Sequence, residues 1–215
     1  MPSLSHIIER LRNISPSSTR GAGIFVDKIA TNHLIYDTIF AAASPASILC
    51  LARTCKVAHI AMRDYFTRTF NINRHLTRFF DDPLAFRSLQ ARTGTLISGS
   101  SALQFFERTV YENSDLDLYT PLLFRKDVGR WLLAQGYHYT PNSIQNPDFE
   151  VASNEDHVDV HEFGYPTDDN RMRGVAAVFT FHKPSPVQAD KRLQVQVIVG
   201  CRSPMEVILY FHSSQ

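Results

Sequence analysis

Apolar positions in the first part of the chain recur at three- and four-residue intervals; further on they alternate with polar ones. Ile48, Leu51, Ala52 and Cys55, then Met62, Tyr65, Phe66 and Phe70, predict two successive helices sharing one apolar face. Ser44-Pro45 predicts the start of the first of these. A hydroxyl there can cap free amides, and proline already has the backbone angle of the first turn. Asp82-Pro83 predicts a further short helix carrying Leu84, Phe86 and Leu89. After Gly94 the texture changes. Residues 95–98 (TLIS) predict a short strand, Gly99-Ser100-Ser101 a bend, and Leu103, Phe105 and Phe106 a helix with its phenylalanines on the core side. Residues 115–119 (DLDLY) alternate and predict a strand. Residues 124–135 predict a helix closed by Gly136, with Trp131 as a core anchor. Residues 158–163, 175–182 and 192–199 predict three more strands, the last two joined by a turn over 184–190, and residues 204–211 a final helix. The expected class is α+β: a small helical array followed by a mixed sheet flanked by helices.

Charge divides the chain in the same way. The first 90 residues carry 11 Lys/Arg and 6 Asp/Glu, while residues 91–215 carry 11 and 15. This sign change places a boundary close to Thr93-Gly94. The expected organisation is an extension over 1–30, with a flexible joint at 15–23 (SPSSTRGAG), a helical unit over 31–90, and an α+β domain over 91–215. The net charge is only +1, so no bulk field draws the molecule to nucleic acid or an anionic membrane. Cys50, Cys55 and Cys201 are odd in number and match neither a redox nor a zinc spacing. They predict reduced thiols in an intracellular protein, cytoplasmic or nuclear. No run reaches the roughly 18 apolar residues of a membrane span, and residues 1–13 contain no secretory signal.

Candidate chemistry concentrates in residues 96–119 (LISGSSALQFFERTVYENSDLDLY). Asp115 and Asp117 are two apart on a predicted strand, so both carboxylates project to one face while Leu116 and Leu118 point to the core. Paired carboxylates repel unless a cation lies between them, and Mg2+ is the ion that such pairs hold while keeping sites for substrate phosphates. Upstream, a strand entering a helix through Gly99, Ser100 and Ser101 offers amides and hydroxyls at a positive helix terminus, which suits a phosphate. Together these are the minimum apparatus for phosphoryl or nucleotidyl transfer.

Ile97-Ser98-Gly99-Ser100 followed by Asp115-Leu116-Asp117-Leu118 resembles the signature of the polymerase-β-like nucleotidyltransferase fold. With LQVQVIV and SPMEVILYFHSS, the likeness is to a group of fungal proteins carrying such a domain, and it covers about residues 85–215. The resemblance implies that Gly99 and Ser100, with Ser101 beside them, contact the phosphates of a nucleoside triphosphate. It also implies that Asp115 and Asp117 hold Mg2+, and that a hydroxyl acceptor is attacked onto the α-phosphate with release of pyrophosphate. Nucleic acid enters only as one class of acceptor. Two features depart from the pattern. Fourteen residues separate Ser100 from Asp115, slightly more than is usual. Active members also use a third carboxylate on a later strand, for which Asp159 in Val158-Asp159-Val160 has the right form. The better-placed strand offers Gln194 and Gln196, and the closing Tyr210-Phe211-His212 offers His212. Without that ligand, such a domain binds nucleotide and turns over poorly. The chain ends at Gln215 directly after the last helix, which fits a sequence lacking the family's downstream helices.

Residues 34–40 (LIYDTIF) and 44–56 (SPASILCLARTCK) are similar to an F-box, spanning about residues 30–80. That likeness implies docking on the adaptor subunit of a ubiquitin ligase through Ile39, Phe40 and Leu49. The alternative function is accordingly a non-catalytic adaptor that recruits a partner. Other signals are weaker. His157, Asp159 and His161 alternate on one strand face and could form a two-His, one-carboxylate metal site. Arg171, Arg173, Lys183, Lys191 and Arg192 border the last hairpin, either as triphosphate contacts or as solvated turn residues. Ser100 and Ser101 have no histidine at motif spacing, so a Ser-His-Asp hydrolase gains little support.

Overall fold

The structure is a computed structural model that describes residues 23, 25–111, 114–154, 174–185 and 191–212. Asp159, His157, His161, Arg171 and Arg173, the strand expected over 158–163 and the side chain of His212 lie outside the described residues. The chain divides into two compact units, Met1–Asn71 and Ile72–Gln215. This division precedes the boundary expected from charge near Thr93-Gly94. The reason is packing: Leu76, Phe79, Phe80, Phe86 and Leu89 share a core with the strands that follow, so the last helices of the basic half belong with the sheet.

The first unit contains a π-helical turn (Phe25–Ala30) and helices α1 (His33–Ala42), α2 (Pro45–Ala52) and α3 (Lys56–Thr69). Each α-helix begins on a side-chain cap. Asn32 accepts from the Leu34 amide, Ser44 from the Ser47 amide, and the Cys55 sulfur from the Ala58 amide. Tyr36, Phe40, Ile48, Ala52, Ala61, Met62 and Tyr65 form its core, with the Phe40 and Tyr65 rings edge to face at 5.3 Å. Phe40 is only 2% exposed, so it is a core residue and not the docking contact that the F-box likeness implied. Arg68 grips Asp37 with two hydrogen bonds of 2.7 and 2.9 Å. It also reaches Asp64, which in turn accepts from the Tyr36 hydroxyl at 2.6 Å.

The second unit is mixed α+β. Helices α4 (Ile72–Leu76) and α5 (Pro83–Thr93) lead into β1 (Leu96–Ser98), α6 (Gly99–Glu107), β2 (Leu116–Pro121), α7 (Arg125–Ala134) and β3 (His138–Thr140). A single turn, α8 (Phe149–Ala152), precedes the long hairpin β4 (Val175–Pro184) and β5 (Arg192–Gly200), and α9 (Pro204–His212) follows. The sheet order is β1-β2-β5-β4-β3; β2 and β5 run parallel and the other neighbours antiparallel. The short strand β3 and the turn α8 were not expected from periodicity, because three or four residues are too few to display a period.

The two faces of the sheet differ. Leu116, Leu118, Val195, Val197, Phe179 and Phe181 point to one face and are buried in the main core with Val128 and Leu132 of α7. Trp131 packs there against Phe80 at 5.0 Å, as a core anchor should. On the opposite face Tyr119, Ile198 and Val207 make a smaller core with Leu96, Val178 and Ile208, so α9 covers that end of the face. Burying each large aliphatic side chain contributes about 1.5–3 kcal/mol, which fixes the register of β2 and β5. No helix among the described residues is long and apolar enough to cross a membrane.

Candidate functional site

Strand alternation sends Ser98 of β1, Asp117 of β2 and Gln194 and Gln196 of β5 to the second face, beyond the part under α9. The register aligns Ser98 with Asp117, Asp117 with Gln196, Gln196 with Thr180, and Thr180 with Thr140, so one polar row crosses all five strands. The next row joins Gln194 to His182 and His182 to His138. Asp115 lies just before β2, one residue short of the expected strand, and its Oδ2 accepts from Gln194 Nε2 at 2.7 Å on that same face. Asp115 and Asp117 thus stand together, and both are half-buried.

The strand-to-helix bend meets this pair directly. Gly99 has φ of 70°, a left-handed conformation, and a side chain there would run into the Asp117 carboxylate. Glycine is therefore required twice at this position, for the backbone angle and for the space. Ser98 makes no side-chain capping bond to α6, and Gly99 and Ser100 are exposed. The first turn of α6 consequently begins beside the Asp117 carboxylate with its leading residues exposed. Ser101 differs: it is buried, and its hydroxyl bonds His75 Nε2 at 2.9 Å, so its side chain supports the bend from below and is not turned to a ligand.

Helix α6 reverses the burial expected of it. Ser101 and Gln104 are its buried residues, whereas Leu103 is exposed and Phe106 is 64% exposed; Phe105 is half-buried against the His75 ring. Gln104 earns its interior place by hydrogen bonding. It donates to the Ser100 carbonyl and accepts from the Tyr111 amide, which ties the end of the helix to the segment approaching Asp115.

Electrostatics at the pair follow from burial and like charge. Burial, with the Asp115 charge second, pushes the Asp117 carboxyl up to about 6. Asp115 is also raised by burial, while His182 and Arg78 pull it back down. Tyr119, next on the same face, is pushed up to about 12 by burial and by Asp117. Arg78 is a residue that periodicity did not single out. Its guanidinium donates to the Tyr111 carbonyl at 3.1 Å and to Ser114 Oγ at 3.0 Å, securing the backbone just ahead of Asp115. His182 and Arg78 carry no motif; the one sequence signal for His182 is the alternation of residues 179–182 (FTFH), which sets it on the face opposite Phe179 and Phe181. Lys183, expected at the hairpin border, bonds Asp81 at 3.3 Å and lies over the Tyr137 ring.

Two outcomes test this geometry. Gly99→Ala is expected to destabilise the protein by more than about 2 kcal/mol, whereas in an Asp117→Ala background only the left-handed penalty of about 1–2 kcal/mol remains. Urea unfolding of the four proteins measures the coupling. The second outcome concerns pH. The folded Asp117 carboxyl holds its proton to about 6 against an ordinary value of 3.8, so its contribution to stability is complete below pH 3.8 and is lost as pH rises through 6. Asp117→Asn is therefore expected to stabilise the fold at pH 8 by about 1–2 kcal/mol after allowance for partial exposure. The gain should fade between pH 6 and 4, as followed by urea unfolding across that range. Searches against protein-family models, curated proteins and solved structures found no match to this chain.

Proposed function

We propose that the Ile72–Gln215 unit is a nucleotidyltransferase-like domain that binds a nucleoside triphosphate together with Mg2+. The observation that carries this reading is the fit of Gly99 against the Asp117 carboxylate, which brings an open helix terminus and an acidic pair to one place. The donor set suits a hard divalent cation: two half-buried carboxylates, of which burial and then the neighbouring Asp115 charge push Asp117 up to about 6. Asp115 and Asp117 would hold the metal, which when bound offsets phosphate charge. Gly99 and Ser100 would receive the phosphates through backbone amides and the exposed hydroxyl. Among the described residues no third His, Cys, Asp or Glu joins the pair, and the neighbouring strand presents the amides Gln194 and Gln196. That composition favours one metal and nucleotide binding. Transfer to a hydroxyl acceptor is the reaction of such a site once a third carboxylate is supplied, and Asp159, outside the described residues, would be the candidate for that role.

A second reading belongs to the Met1–Asn71 unit. Its helices α1 and α2 leave Leu34, Ile35, Ile39 and Leu49 exposed while Phe40 fills the core. Exposed aliphatic residues on neighbouring helices favour docking of a protein partner, and the F-box likeness names a ubiquitin-ligase adaptor. Recruitment and nucleotide binding are compatible, since different units carry them.

Mg2+ with ATP, GTP, CTP or UTP is expected to raise the melting temperature of the wild-type protein, and neither Mg2+ nor nucleotide alone should match the shift. Asp115→Asn with Asp117→Asn should abolish it; an equal shift in that variant would refute the reading. For the first unit, Ile39→Asp with Leu49→Asp is expected to abolish co-purification with a ligase adaptor while leaving the melting temperature unchanged. Retained co-purification would remove this surface from the contact.

A further inference from the structure

Asp115 is held by a directed chain of side chains that crosses three strands. We propose that Gln194 and His182 are positioning residues for Asp115. They turn its Oδ2 toward β5 and so leave Oδ1 as the oxygen offered to a divalent cation; the role rests on the nucleotide-binding reading above. The chain runs Thr140, His182, Gln194, Asp115, with separations of 3.0, 2.9 and 2.7 Å. Its direction follows from the acid at its end. A carboxylate can only accept, so the Gln194 NH2 group faces Asp115 and its carbonyl oxygen faces His182 Nε2. That oxygen requires a proton on Nε2. In the neutral ring Nδ1 is then an acceptor, and the Thr140 hydroxyl donates to it. Flipping the Gln194 amide would set oxygen against carboxylate and NH2 against N–H, losing both bonds at once. The β4–β5 register places His182 directly beside Gln194, so the arrangement is built into strand pairing.

An amide suits this place because it fixes the carboxylate without altering charge. A second acid would add to the repulsion already felt by Asp117, and a lysine would neutralise the charge that a cation needs. Asp115 is thus held from two sides. Arg78 secures the backbone through Ser114, and Gln194 secures the side chain. Orienting groups behind metal ligands commonly set affinity by 10- to 100-fold.

The test uses the full chain with Mn2+, a paramagnetic substitute for Mg2+, followed by electron paramagnetic resonance. Gln194→Met and His182→Leu are each expected to weaken Mn2+ binding by about 10- to 100-fold. His182→Gln, which keeps a donor toward Gln194, should restore it. Independently, nitrogen-15 NMR of the metal-free wild type should show His182 protonated on Nε2. An Nδ1–H tautomer, or unchanged Mn2+ affinity in both Gln194→Met and His182→Leu, would overturn the positioning role alone. A wild-type protein that binds no Mn2+ would overturn the nucleotide reading and the role with it, whatever the tautomer.

Discussion

A half-buried carboxylate can stand against a strand-to-helix bend only if the bend carries no side chain at the point of contact. Gly99 meets that condition, and much of the second unit is arranged around it. With Gly99 at φ 70°, the chain turns from β1 into α6 beside Asp117 while β1 remains paired with β2. Burial of the carboxylate against the bend, and secondarily the Asp115 charge, then keep its affinity for protons high. Such a site is unfavourable to the fold at neutral pH in the absence of a cation.

The supporting structure around the pair fixes it without adding a further carboxylate. Gln194 and His182 hold Asp115 laterally, Arg78 holds the backbone before it, and His75 with Ser101 supports the bend from the interior. His75 is shifted down by burial and by Arg78, so it stays neutral and its bond to Ser101 introduces no competing charge. The buried face of α6 is polar for the same purpose: Ser101 and Gln104 both use their interior positions to hold backbone or ring nitrogen atoms in place. Apolar residues of that helix are left outside, which a rule based on hydrophobicity alone assigns the other way.

Much of the architecture was legible in the residues. Capping signals at Ser44-Pro45 and Asp82-Pro83 marked helix starts, alternation marked β2, β4 and β5, and Gly136 marked the closing of α7. These are local effects, decided within a few residues by sterics and hydrogen bonding. The paired aspartates and the glycine-serine bend were legible for the same reason, since alternation alone sends Asp115 and Asp117 to one side. Periodicity could not place the domain boundary. Charge reports what the surface carries, whereas Phe80, Phe86 and Leu89 belong to whichever sheet buries them.

What the chain determined by itself, then, was its class, those elements long enough to show a cap or a period, and the identity of the acidic pair, because each follows from short-range backbone preferences. Only tertiary structure decided what surrounds that pair. Gln194 is 79 residues from Asp115 in sequence, and His75 is 26 from Ser101. Such partners meet through strand order and helix packing, which no local pattern encodes. Tertiary packing likewise turned Phe40 inward and Phe106 outward, since adjacent apolar residues on a helix cannot all face one core.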